Sequence, residues 1–145
     1  SLIPKICRPY IVLSSNPWTI CSNPIFTKPV NRTLLARTPQ GASKSMTCVT
    51  SLTNSNDQLT TRVLDQLEGY LVSAAEDWGV LYTLAYIVHI YEVVLITTCL
   101  RTGKRHGVFS HPHIPKKARS LVHTDSGVCI IDANRVVWHC RAPLL

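Results

Sequence analysis

The chain has 145 residues, enough for one ordinary domain with a real hydrophobic core. Its formal charge of +7 favours partners that carry negative charge: nucleic acid, an anionic membrane surface or an acidic protein. The six cysteines are scattered with no C-x-x-C pair, which excludes the usual zinc-ribbon and dithiol signatures and makes reduced thiols the expectation.

Residues 1–55 read as a basic extended arm or targeting-like segment. No Asp or Glu occurs before Asp57, while Lys5, Arg8, Lys28, Arg32, Arg37 and Lys44 stand among many Ser and Thr, which is the composition of a mitochondrial import sequence. Pro4, Pro9, Pro17, Pro24, Pro29 and Pro39 favour extended chain over an amphipathic helix. The apolar run "YIVLSS" is too short for a secretory signal, so the Asn31-Arg32-Thr33 sequon has no evident use. Trp18 and Phe26, beside two Ser-Asn-Pro turns, are expected to dock as isolated apolar anchors.

A helix signal begins near Ser55, where Gln58 three residues on completes a capping box. Leu64, Leu67, Leu71, Ala74, Trp78, Leu81, Ala85 and Val88 then recur at spacings of three and four, as on one face of a helix. From Trp78 to Leu100 only His89 and Glu92 can carry charge around neutral pH, among otherwise largely apolar residues, and Arg101, Lys104, Arg105 and His106 follow. That length and flanking charge fit a membrane span. The expected fold is therefore α+β in one small domain, 56–145: an apolar helix over about 57–100, spanning a membrane from 78, with a C-terminal β-hairpin. The alternative is a soluble helix over 57–77 packed on an antiparallel sheet formed by 80–140. It rests on the β-branched residues between Val80 and Thr98, and its weakness is that no Gly, Pro, Asn or Asp lies between Val80 and Leu100 to turn the chain.

On a helix His89 and Glu92 share a face, which makes them a polar pair in an apolar environment, either a relay or a register-fixing contact. Arg101, Lys104, Arg105, Lys116, Lys117 and Arg119 form a candidate basic patch for lipid or RNA phosphates, with no aromatic residues interleaved. The histidines and cysteines of the last third lack paired metal-ligand spacing, so no metal is expected. The tail "SGVCIIDANRVVWHC" reads as a hairpin, with β-branched runs at 128–131 and 136–139 around Asp132, Ala133 and Asn134 and with Trp138 as its anchor.

No G-x-S-x-G, phosphate-binding glycine loop or H-E-x-x-H occurs, so neither an enzyme nor a cofactor is expected. Two functional classes follow. The first is a non-enzymatic accessory or assembly subunit of a membrane-associated complex, in a mitochondrial membrane with other protein subunits as partners. The second is a soluble basic nucleic-acid-binding or viral accessory protein, cytoplasmic or viral in location.

Overall fold

The computed structural model describes residues 17–27, 33–37, 46–55 and 58–140, with side chains at 17–27 and 69–140, His89 excepted. Among these residues the chain forms eleven β-strands and one 3-10 turn, and no α-helix. In chain order the strands are β1 (Trp18–Ile20), β2 (Thr33–Arg37), β3 (Met46–Ser55), β4 (Gln58–Glu68), β5 (Tyr70–Asp77), β6 (Val80–Ile87), β7 (Glu92–Cys99), β8 (Arg105–Phe109), β9 (Ala118–Thr124), β10 (Gly127–Asp132) and β11 (Val137–Cys140). They pair antiparallel into three sheets, ordered β1-β11-β10-β9, β2-β3-β4 and β5-β6-β7-β8.

The α+β expectation is overturned, in both of its forms. Residues 58–77 are β4 and β5, so the apparent heptad seam runs along strands. The spacing of Ser55 and Gln58 that resembled a capping box is a cross-strand pair closing the β3–β4 hairpin. The run from Trp78 to Leu100 is the β6–β7 hairpin, with Val80 opposite Cys99 and Ile87 opposite Glu92. No helix among the described residues is long and apolar enough to cross a membrane. The basic arm is likewise not irregular where it is described, because it supplies β1, β2 and β3; residues 1–16 lie outside the description.

The physical reason for the misreading is burial on both faces. On one face Val80, Tyr82 and Leu84 of β6 and Leu95 of β7 join Ala75, Trp18, Ile114, Leu121, Val128 and Ile130 in the core between the two four-stranded sheets. On the other, Leu81 and Ala85 of β6 pack with Val94, Ile96 and Leu100. A strand covered on both sides loses the alternation of apolar and polar residues that identifies a half-exposed strand, and reads as a continuous apolar run. Backbone of β2, β3 and β4 approaches β5 and β6.

The sandwich closes at one corner, where β9 and β5 are the facing edges of their sheets. The Leu121 amide donates to Ser73 Oγ at 3.0 Å, and His123 Nε2 lies 2.6 Å from the Glu76 carbonyl oxygen, to which it donates. Ser73 is free to make that bond because the β5–β6 register shifts between Leu71 and Ser73, a bulge that redirects the strand. Residues 25–27 bond along the same outer edge of β9, with Thr27 N to His123 O and Asp125 N to Ile25 O. Since β1 lies at the opposite edge of that sheet, the segment 21–27 connects its two edges, bonded to Val137 at one end and to His123 and Asp125 at the other. Trp18 is a core residue and Phe26 is exposed, so of the two expected anchors only Trp18 docks.

Candidate nucleic-acid interface

The strand directions define two ends of the sandwich. One carries the β5–β6 turn at 78–79, the β7–β8 turn at 100–104 and the β9–β10 turn at 125–126; the other carries the β6–β7 turn, the loop before β9 and the β10–β11 turn. The β5–β9 bonds fix this, because they set Leu121 beside Ser73 and His123 beside Glu76, so both strands run the same way.

This geometry divides the expected basic patch. Arg101, Lys104 and Arg105 sit at the first end, and Lys116 and Lys117, followed by Arg119 near the start of β9, at the second; all six are exposed. The expected polar pair loses its setting too. His89 lies in the 3-10 turn Val88–Ile90, with its side chain outside the description, and Glu92 is an exposed residue at the start of β7. Among the described residues there is no apolar helix for them to share, and the expected polar pair is corrected to neighbouring positions at a hairpin tip.

What the sequence reading missed is Trp78. Trp78 and Gly79 are the two residues between the paired Asp77 and Val80, with φ of 51° and 75°. Positive φ at both central positions is the requirement of a type I′ hairpin, where the first position ordinarily takes Asn, Asp or Gly. Here it holds an indole that is 73% exposed. The neighbouring turn is tied to it: Leu100 N donates to Gly79 O at 2.9 Å, while Cys99 N bonds Lys104 O at 2.8 Å and Gly103 N bonds Cys99 O at 2.7 Å. An exposed indole and the exposed Arg101 and Lys104 thus sit on two hydrogen-bonded turns, with Arg105 exposed where the second turn enters β8. The signal in the sequence is "DWGV", where a glycine follows a bulky residue between the paired Asp77 and Val80; the helical spacing of the surrounding apolar residues masks it.

Beneath these loops Cys99 is fully buried and disulfide-bonded, its partner lying outside the described side chains, which corrects the expectation of reduced thiols throughout. This end also carries acid: Asp77, which precedes Trp78, has its Oδ2 within reach of Gly127, and Asp125 is exposed in the β9–β10 turn.

The other chemistry-bearing groups are structural. Cys21, Cys129 and Cys140 are thiols outside any disulfide. Burial pushes the Cys129 thiol up, the hydrogen bond with Thr124 at 3.1 Å offsetting this in part, so Cys129 is held protonated and packs as an apolar residue. His139 Nε2 lies 3.3 Å from Thr19 Oγ1 across the β1–β11 pair. Among the described residues no three His, Cys, Asp or Glu gather where they could hold a metal ion. No family model, curated protein or solved structure matches the chain.

Proposed function

We propose that the protein is a non-enzymatic binding module that takes single-stranded nucleic acid at the end of the sandwich formed by Trp78, Arg101, Lys104 and Arg105. The observation that carries this reading is the exposed indole held in left-handed backbone by a turn bonded to the basic turn. Single strands are bound by this combination, since every base offers a π-face for stacking and cations follow the phosphates. An indole that is 73% exposed gains little for stability, whereas stacking on a base contributes about 1–3 kcal/mol.

Filter binding of a mixed-sequence single-stranded RNA across a salt series tests it. Three phosphate contacts predict that log K falls with log salt at a slope of about −2. Trp78→Ala weakens binding roughly 10- to 100-fold, the range set by one stacked base. Lys116→Ala with Lys117→Ala, at the other end, leaves it unchanged. A flat salt response, or Trp78→Ala binding as tightly as the parent, would remove this function.

The compartment belongs to the same proposal. A buried disulfide at Cys99 favours a setting in which thiols oxidise, such as a virion or cell surface, over the cytosol.

A further inference from the structure

The second end of the sandwich differs in kind from the first. The β6–β7 hairpin turns without Gly, Asn or Asp: Val88–Ile90 form one 3-10 turn, and Tyr91 closes it with φ 54° and ψ 37°. The tip therefore presents Val88 at 42% exposure, Ile90 at 51% and Tyr91 at 80%. At the base of this tip Tyr70, itself exposed, pairs across from Tyr86.

The cations at this end come from the opposing sheet. Lys116 and Lys117 precede β9 and Arg135 lies in the β10–β11 turn, all exposed, and the Ala133 amide bonds the Lys117 carbonyl at 2.9 Å to join the two loops. Glu92 is the exposed carboxylate of this end among the described side chains, since Asp132 is buried and bonded. Packed sheets lie about 10 Å apart, so the apolar tip and the cationic loops fit within one small footprint.

The backbone singles out the same residues. Among the described residues, those other than glycine with positive φ are Trp78, Tyr91, Lys117 and Arg135: two aromatic and two basic, at the sandwich ends. Left-handed backbone costs an ordinary side chain about 1–2 kcal/mol, and residues held there gather at ligand-contacting positions.

We propose that this end docks on an anionic lipid surface, with Ile90 and Tyr91 inserted at the headgroup boundary and Lys116, Lys117 and Arg135 against the phosphates. The charge complementarity selects lipid over a second copy of the chain: this copy would bring the same cations into repulsion, whereas a membrane supplies apolar depth beneath an anionic layer. Tyrosine suits that boundary, with an apolar ring and a polar hydroxyl. The inference is independent of the nucleic-acid reading, which concerns the other end.

Flotation of the full chain with phosphatidylcholine vesicles, with and without 30% phosphatidylserine, decides it, where the vesicle composition is about that of an anionic leaflet. Binding to the anionic vesicles is expected, with little to the neutral ones. Ile90→Ser with Tyr91→Ser lowers it at least tenfold, and each of Lys116→Ala, Lys117→Ala and Arg135→Ala lowers it about fivefold, the factor for one cation at the surface. Tyr91→Ser alone, at an exposed position, provides a folded variant should the double substitution not fold, and a cooperative thermal melt of every variant reports that the sandwich is intact. Equal binding to both vesicle types, no loss in the tip variants, loss instead in Arg101→Ala with Lys104→Ala, or a concentration-dependent dimer abolished by Tyr91→Ser would each overturn the proposal.

Discussion

The β6–β7 and β10–β11 hairpins have similar β-branched strands and are turned by opposite means. In β10–β11 the turn is fixed by one side chain: Asp132 Oδ1 accepts from Asn134 N at 2.8 Å and Val136 N at 3.0 Å, and Oδ2 accepts from the Trp138 indole at 2.9 Å. In β6–β7 no side-chain cap is present, and the reversal is held by the strands on either side of it, with Tyr91 N reaching Val88 O at a long 3.4 Å. Local chemistry specifies the first turn and tertiary burial the second. A turn of the first kind is visible in a sequence; one of the second kind is visible only once its strands are known to be buried on both faces.

If burial specifies β6–β7, then charge placed within it does the most damage. Ala85 is fully buried on the second face of its sheet. Ala85→Arg is expected to cost roughly 4 kcal/mol or more, from an unpaired buried charge in a site with no volume for the side chain. Ser22→Arg, at an exposed position, stays within about 0.5 kcal/mol. Urea melts read both, and equal midpoints would mean that the second face is open.

Gly69 tests the same sheet at its crease. Its φ is 127°, and a Cβ there would run into the Tyr86 carbonyl and crowd Ile87 Cδ1 at 3.2 Å. Because the obstruction is backbone of β6, relief requires the strands to separate, and Gly69→Ala is expected to cost about 3 kcal/mol by the combined strain and lost contacts. A melt unchanged from the parent would show that β5 can slide on β6, contrary to the buried register.

The Asp132 turn predicts a smaller loss with a pH signature. Asp132→Ala removes the acceptor for two amides and an indole, and about 2–3 kcal/mol is expected from groups that lose a charged partner. Burial alone would raise the Asp132 carboxyl, but the bonds from Trp138, Val136 and Asn134 outweigh it and hold the group below the ordinary carboxylate range. Its folded value is thus below its unfolded one, so the stabilisation is present above the unfolded value and is lost as pH falls through the folded one. Acid melts followed by Trp fluorescence should show this limb in the parent and not in Asp132→Ala. His106, which burial holds below its ordinary 6.5, also penalises folding as pH falls, but over the window just below that value, so the two are separable by pH.

How much could be read in advance follows the same division. The β10–β11 hairpin was legible because Asp132, Ala133 and Asn134 sit between β-branched runs, although the left-handed position falls to Arg135, φ 62°, and not to Asn134. The basic residues were legible as exposed, since six of one charge have no place in a core. Their division between two ends was not, because it depends on β5 and β9 running in the same direction, a tertiary fact. Trp78 was hidden by its neighbours: Leu71, Ala74, Leu81 and Ala85 imitate helical spacing, since a bulge after Leu71 and a two-residue turn at 78–79 shift the strand alternation by the right number of residues. The membrane span was a consequence of that error, as any strand pair with both faces buried has the hydropathy of a span.

The smallest effect is of opposite sign and bears most directly on why the two hairpins differ. Tyr91 is 80% exposed, so its ring contributes little packing that a substitution could remove. Its backbone is left-handed, which costs an ordinary residue about 1–2 kcal/mol and costs Asn much less, because the short amide can bond to nearby backbone. Asn also adds less freedom to the unfolded chain than Gly would, so the gain is not offset there. Tyr91→Asn should therefore stabilise the protein by about 0.5–1 kcal/mol, a rise of roughly 1–4 °C in melting temperature for a chain of this size. The same substitution should reduce flotation with anionic vesicles. Stability gained together with binding lost is the pattern of a residue kept for contact at a cost to the fold. If Tyr91→Asn instead lowers the melting temperature, the tyrosine ring is packing against its own hairpin, and the β6–β7 turn is specified locally after all.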